Sequence, residues 1–167
     1  MALHMGDDGQ PDLEQAIVWY RKAAELGLAD AQHMLGALLF EGVGLAADKE
    51  AARAWLRKAS AQGLARAQAY YGAMLIDDNG PGSMEPGVAL LRMAAAQDDP
   101  SGQSYLARCY ETGRGVARDD GQARALYEKA AQRTMANIYE RGIGVAADPV
   151  RAAEWRKAAG IPVPRPR

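Results

Sequence analysis

Residues 19–48 read WYRKAAELGLADAQHMLGALLFEGVGLAAD, and most of the remaining chain repeats this stretch. The residues that recur 36 positions later are Trp19, Gly27, Ala31, Gln32 and Gly36, which reappear as Trp55, Gly63, Ala67, Gln68 and Gly72. Further shifts of 35 and 36 positions carry Trp55 to Leu90 and Leu126. Such a period is typical of solenoids, in which helix pairs stack because no single pair buries its own apolar face. The sequence therefore predicts an all-α superhelix (solenoid) of stacked antiparallel helix pairs, with function on the surface that stacking forms.

Within each copy the apolar residues follow the spacing of amphipathic helices. The first stripe contains Ala16, Trp19, Tyr20 and Ala23, and Gly27 ends it. The same spacing predicts helices over 29–41, 48–62, 65–77, 84–97 and 101–112, with N-caps at Asp12, Asp48, Ser83 and Asp119. The acidic pairs Asp98-Asp99 and Asp119-Asp120 also fit helix starts. We expect the periodic aromatic residues Trp19, Trp55 and Trp155 in the core, and the alternative is a stacking platform for bases or sugars.

The repeat loses its register near the C-terminal end. The spacing from Ala131 to Gly142 is 11 residues, against 18 for the equivalent positions of the first copy, so seven residues are missing. Either a turn has been deleted and 120–141 is one long helix, or a segment is absent from the sequence between Arg133 and Thr134. We favour the second account, because deletion of a turn would misalign every later repeat.

These patterns divide the chain into three parts. Residues 1–11 are the end of a partial repeat with its loop, and 12–159 form the repeat array. Residues 160–167 form a proline-punctuated tail, which we expect to be disordered. Within the array, loop 77–87 departs from the Gly-x-Gly-Val pattern and is the segment richest in turn residues.

Composition argues against several classes of partner. The 20 basic and 21 acidic residues are interspersed and give a net charge of −1, so no basic field is available for nucleic acid. No window is apolar enough to span a bilayer, and the first residues lack the pattern of a signal peptide. We therefore expect no nucleic-acid partner and no membrane insertion. The default compartment is the cytoplasm, or the periplasm if the chain is a fragment of an exported protein.

Residues able to carry chemistry are few and scattered. His4 and His33 have no histidine partner at helical spacing, and Cys109 is the only cysteine, so we expect no metal and no cofactor. Cys109 lies on a predicted packing helix and is interpreted as a small buried hydrophobe. Residues 77–80 begin like a calcium loop, but Val88 stands where the bidentate Glu is needed. The sequence predicts a protein that is not an enzyme; a hydrolase would need a Ser or Cys nucleophile beside a His.

The repeated positions resemble the Sel-one-like repeat (SLR) family, which is related to tetratricopeptide repeats. The family pattern is matched by Ala31, Leu35, Gly36, Leu38, Gly42, Gly44, Asp48, Ala52, Trp55, Lys58, Ala59 and Gly63, and again by Gly113, Gly115, Val116, Asp119, Tyr139, Gly142, Gly144, Val145, Asp148 and Trp155. The likeness covers nearly the whole chain. It implies a right-handed superhelix that acts as a protein-interaction scaffold, of a kind common in bacterial signalling and envelope regulation.

By analogy with tetratricopeptide geometry, the first helix of each pair lines the concave face that binds a protein or peptide. The residues predicted on this face are Asp30, His33, Ala37, Phe40, Glu41, Arg66, Ala69, Ala73, Ile76, Asp77, Ser104, Arg108, Glu111 and Thr112. Phe40 is the strongest member, because the only Phe falls outside the buried stripe. The alternative is an ordinary solvated face. A hydrolase, or a truncated structural segment of a larger receptor, is the alternative to the scaffold as a whole, and a homodimer through the array ends is a further expectation.

Overall fold

A computed structural model describes residues 13–78, 80 and 82–162, and in these residues helices are the only regular secondary structure. In chain order they are α1 (Leu13–Glu25), α2 (Ala29–Glu41), α3 (Lys49–Ala61), α4 (Ala65–Asp78), α5 (Met84–Ala96), α6 (Pro100–Thr112), α7 (Asp120–Arg141) and α8 (Pro149–Ala158). The five helices predicted between residues 29 and 112 agree with α2 to α6 to within one residue at each end. The predicted partial repeat over 1–11 and the predicted cap at Asp12 lie outside the described residues. None of the eight helices is long and apolar enough to cross a bilayer.

The chain divides into two compact units, residues 1–71 and 72–167, and the boundary falls within α4. In the first unit, α2 packs against α1 on one side and α3 on the other. In the second unit, α6 packs between α5 and α7 in the same way, and α8 packs against α7. We call α2, α4 and α6 the leading helices, and α1, α3 and α5 the trailing helices.

Acidic N-caps fix where several helices begin. Asp48 and Asp119 accept hydrogen bonds from backbone N–H groups three residues later, both at 2.9 Å, as predicted. Asp148 caps α8 in the same manner. The predicted cap at Ser83 is wrong, because its backbone is already helical and its hydroxyl donates instead to the carbonyl of Gly80 at 2.9 Å.

Glycine lets neighbouring helices approach closely at equivalent places in the two units. A Cβ atom added to Gly36 would lie 2.8 Å from Cγ of Leu56, and one added to Gly72 would lie 2.9 Å from the carbonyl oxygen of Gly87. Leu56 and Leu91, which occupy equivalent positions, are both 0% exposed. Because these glycines have no side chain, the neighbouring helices come into direct contact, and alanine-rich helices can form a dense core.

The tryptophans are less buried than predicted. Trp19 is 56% exposed, and Trp55 and Trp155 are half-buried. Each of the first two rings carries a lysine ammonium on its face, that of Lys22 at 4.8 Å from the Trp19 centroid and that of Lys58 at 4.2 Å from the Trp55 centroid. The lysines thus cover rings that no neighbouring helix covers completely.

The continuous helix α7 corrects the preferred account of the broken register. Its 22 residues run from Asp120 through Arg133 and Thr134 to Arg141 without a turn, so the alternative of one long helix is right.

After α8, Ile161 is only 8% exposed and its N–H donates to the carbonyl of Arg156 at 2.9 Å. Ile161 therefore packs against the end of α8, disorder of the predicted tail 160–167 stays a prediction, and 163–167 lie outside the described residues.

Candidate partner-binding surfaces

In the first unit, four residues predicted to contact a partner lie on the surface. Asp30, Glu41 and Arg66 are exposed, and Phe40 is 37% exposed, which leaves an aromatic edge open to solvent. Asp30 lies in the first turn of α2, whereas Phe40 and Glu41 end the same helix. Ala37 between them is half-buried.

Several predicted contact residues are buried, which removes them from any surface. His33 is 7% exposed, and its ring packs edge-on against Tyr70 with 5.3 Å between centroids. Ile76 is 2% exposed in a core cluster, and Ala69 and Ala73 are also buried. A leading helix such as α2 or α6 packs between two trailing elements, so its buried arc is wider than one apolar stripe indicates.

In the second unit, the structure brings Asp77 and Arg108 together, as two residues of one predicted face. Arg108 Nη2 lies 3.5 Å from Asp77 Oδ1, and Arg114 Nη1 lies 3.3 Å from the same oxygen. Arg114 also donates to the carbonyl of Ile76 at 2.5 Å, which anchors its guanidinium to the end of α4. The guanidinium carbon of Arg108 lies 5.4 Å from the ring centroid of Tyr105. We call Asp77, Tyr105, Arg108 and Arg114 the arginine cluster.

A second polar contact joins α6 to α7. The hydroxyl of Tyr127 donates to Glu111 Oε2 at 3.0 Å, and both residues are exposed. Partial burial raises the pKa of Tyr127 above its ordinary value, and this hydrogen bond to a carboxylate raises the pKa further. Ser104 is half-buried and Thr112 is exposed, with its hydroxyl bonded to the carbonyl of Arg108 at 2.7 Å.

Sequence reasoning missed Arg114 and Tyr127. Arg114 occupies the variable position of a Gly-x-Gly loop, where Val43 and Ile143 stand in the other copies, so a charged residue there was a usable signal. Tyr127 stands where Leu56 and Leu91 are fully buried, and its polar ring was a sign that this position reaches solvent in the fourth copy.

Groups able to carry chemistry do not assemble among the described residues. Cys109 is 3% exposed, as predicted, and burial raises the pKa of its thiol. In the described part of the chain, no three His, Cys, Asp or Glu side chains are placed to hold a metal ion. The first unit has a shallow groove of about 460 Å³, with an apolar floor that includes Ile17, Val18 and Leu45. It lies beside α1, and not on the predicted face.

The comparisons with known proteins agree on one family. The profile of the Sel1 repeat matches residues 1–28, 29–64, 100–134 and 131–159, and so leaves out the copy with the divergent loop. A protective antigen of uropathogenic Escherichia coli strains that displays an SLR fold is 34% identical, with a TM-score of 0.66 over 95% of this chain and 36% of its own. A Sel1 repeat protein from Oxalobacter formigenes is 29% identical, with a TM-score of 0.59 over 90% of this chain and 65% of its own. This chain therefore spans less than two thirds of either solved structure. No curated protein matches.

Proposed function

Because the chain belongs to the Sel1 repeat family, whose members generally act as protein-interaction scaffolds, we propose that it binds a protein or peptide partner through the arginine cluster. The all-helical fold and the SLR structures support the scaffold class. Repeat scaffolds of this family are typically not catalytic. A role in bacterial signalling or envelope regulation belongs to the same proposal.

The observation that carries the proposal is the charge of the arginine cluster. Two guanidinium groups, from Arg108 and Arg114, share one oxygen of Asp77, so the cluster keeps one net positive charge. The side chains of Arg108 and Asp77 are 46% and 58% exposed, which leaves donor groups open to a ligand. We infer that an acidic side chain or a carboxyl terminus of the partner binds there, since guanidinium pairs carboxylate with good geometry. The ring of Tyr105 supplies apolar contact beside the charge.

Predicted residues outside this cluster keep a secondary place. Asp30, Phe40, Glu41 and Arg66 remain candidates on the first unit, where Phe40 offers an aromatic anchor. Glu111 remains a candidate on the second unit beside its bonded Tyr127. His33 and Ile76 are withdrawn because they are buried.

Charge reversal in the full chain tests the proposal. Arg108→Glu with Arg114→Glu is compared with Arg92→Glu, which changes an exposed arginine on α5 of the same unit. Exposed ion pairs contribute only about 0–1 kcal/mol, so all variants should stay folded by circular dichroism. A partner recovered from a lysate of the source organism and identified by mass spectrometry is then titrated against each purified variant.

We expect the double reversal to weaken binding by about tenfold or more, and Arg92→Glu to leave it unchanged. Binding to the unmodified chain should also weaken as salt is raised, because exposed charge pairs are screened. Equal affinity for the double reversal and the unmodified chain would exclude the arginine cluster from the interface, and the exposed residues of α2 would be tested next.

A further inference from the structure

Each trailing helix ends in the same left-handed turn, which reverses the chain into the next leading helix. The residues with positive φ are Gly27 at 90°, Gly63 at 85° and Asp98 at 59°, spaced by 36 and 35 positions. Each turn is closed by one equivalent backbone hydrogen bond, for example from Leu28 N–H to the carbonyl of Ala23 at 3.1 Å. This turn therefore reverses the direction of the chain between each trailing helix and the leading helix that follows it.

Helix α7 lacks this turn although it contains both elements that the turn normally joins. Its first half, 120–133, aligns with the trailing helices, and its second half, 134–141, aligns with the leading helices. The seven missing residues are the counterparts of 63–69, namely the turn glycine and the start of the leading helix. The second half of α7 therefore continues away from the first half and cannot pack back on it.

Polar groups at this place are left without partners. In the first unit, Gln62 Nε2 donates to Gln32 Oε1 at 2.8 Å and to the carbonyl of Gly27 at 2.9 Å. The counterparts of Gln32 and Gln62, 71 positions later, are Gln103 and Arg133. Both amide atoms of Gln103, which is 0% exposed, and Nη1 of Arg133 are buried with no hydrogen-bond partner among the described residues. Groups of this kind are costly to leave unbonded.

Apolar positions on both halves of α7 are uncovered as well. Ala131 is exposed, whereas its counterparts Ala24 and Ser60 are 1% and 6% exposed and its counterpart Ala95 is half-buried. On the second half, Met135 is half-buried, whereas its counterparts Leu35 and Leu106 are 1% and 5% exposed; Ile138 is half-buried, as its counterpart Leu38 also is. The two halves thus present the two sides of one interface between repeats, held apart by a straight helix about 33 Å long at about 1.5 Å per residue.

We propose that the chain forms a two-fold dimer by exchange, in which the second half of α7 together with α8 packs on α6 and the first half of α7 of another copy. A second copy is the occupant that fits, because it carries both complementary surfaces, and reciprocal packing covers both at once. A shortened connection that prevents closure within one chain favours such exchange. This dimer differs from one formed through the ends of the array, and it is independent of the arginine cluster.

The test restores the turn in the full chain. Insertion of Gly-Leu-Ala-Arg-Ala-Gln-Ala, the chain's own residues 63–69, between Arg133 and Thr134 returns the 36-residue register. The matched control inserts seven helix-forming residues at the same point, which lengthens α7 by about two turns and keeps its faces aligned. Masses are measured by size-exclusion chromatography with light scattering over a concentration series.

We expect the unmodified chain and the helical control to have twice the chain mass of 17.9 kDa, and the turn-restored variant to be monomeric. A monomeric unmodified chain, or a turn-restored variant that remains dimeric, would overturn the proposal.

A surface substitution gives an independent measurement. Ala131→Arg places a large charge on the uncovered face, whereas Ala125→Arg makes the same change at a position exposed both here and at its counterpart Ala54. We expect Ala131→Arg to raise the dimer dissociation constant by about tenfold or more, and Ala125→Arg to leave it unchanged. Equal dissociation constants for the two variants would show that this face is not in the interface.

Discussion

Gly36→Ala tests the claim that helices α2 and α3 are held in contact at a glycine. A Cβ atom at this position would lie 2.8 Å from Cγ and 3.1 Å from Cδ2 of Leu56, and 3.3 Å from the carbonyl oxygen of Ala52. Leu56 is 0% exposed, so its side chain has no solvent-filled space into which it could move. The substitution must therefore shift α2 away from α3 or force Leu56 out of its rotamer.

Two opposing effects set the size of the change. Overpacking of this kind costs about 1–3 kcal/mol of unfolding free energy. Replacing Gly by Ala inside a helix stabilises by about 0.5–1 kcal/mol, because the unfolded chain loses freedom and the helix gains propensity. The expected net result for Gly36→Ala is a destabilisation of about 1 kcal/mol. If α2 and α3 were not in contact at Gly36, the same substitution would stabilise the protein. The sign of the change in unfolding free energy therefore decides whether the contact exists.

A double-mutant cycle isolates the contact. Leu56→Ala alone should cost about 2–5 kcal/mol, because a fully buried leucine is lost. In that background Cγ and Cδ2 of Leu56 are gone and only the carbonyl oxygen of Ala52, at 3.3 Å, remains close, so Gly36→Ala should stabilise by up to about 1 kcal/mol. The coupling energy should therefore be about 1–3 kcal/mol, measured from urea unfolding followed by circular dichroism. A stabilising effect of Gly36→Ala with Leu56 present would refute the reasoning.

Three further expectations follow from caps and burial. Asp99→Ala should lower the unfolding free energy by about 1–2 kcal/mol, since Asp99 Oδ1 accepts from the buried Gly102 N–H at 2.8 Å; Asp99→Asn should retain most of it in thermal unfolding. Cys109 should react with iodoacetamide far more slowly in the folded than in the urea-unfolded chain, because burial raises the pKa of its thiol. Hydrogen bonds from the N–H and the side chain of Gln122 lower the pKa of Asp119 below its ordinary value of 3.8. The stability that Asp119 contributes is therefore fully present above pH 3.8, and it is lost as the pH falls through the lower pKa of the folded state. Asp119→Ser, which keeps an acceptor without charge, should flatten the acid side of the stability curve.

Several helix boundaries were predictable because they rest on local chemistry that recurs between copies. Asp48 and Asp119 provide side-chain acceptors for free N–H groups, and Gly27 and Gly63 adopt the left-handed conformation that ends a helix. These groups act within a few residues, so the sequence contains all of the information needed. Ser83 is the exception, because its hydroxyl has a competing acceptor in Gly80.

The candidate surface was only partly predictable, because exposure depends on how many neighbours a helix has. Alanine suits buried and exposed positions alike, so an alanine-rich helix such as α4 does not show where its buried arc ends. Ile76 and His33 were therefore placed on the surface although both are buried. The arginine cluster depends on Arg114, 37 residues from Asp77 along the chain, and sequence spacing alone does not show that contact.

At the deleted turn, the repeat register and the local sequence favour different structures, and the local sequence decides. The repeat register calls for a reversal after Arg133, but no glycine or proline occurs between Gly121 and Gly142, and the residues there are good helix formers. A reversal needs a residue that tolerates positive φ, so removal of the turn glycine leaves the helix no place to stop. Three residues still need partners after the turn is lost, because their counterparts in earlier copies are buried or hydrogen-bonded. They are Ala131, Gln103 and Arg133. In the exchanged dimer that we propose, a second copy supplies the packing that the chain cannot provide by itself, so the missing seven residues would determine assembly.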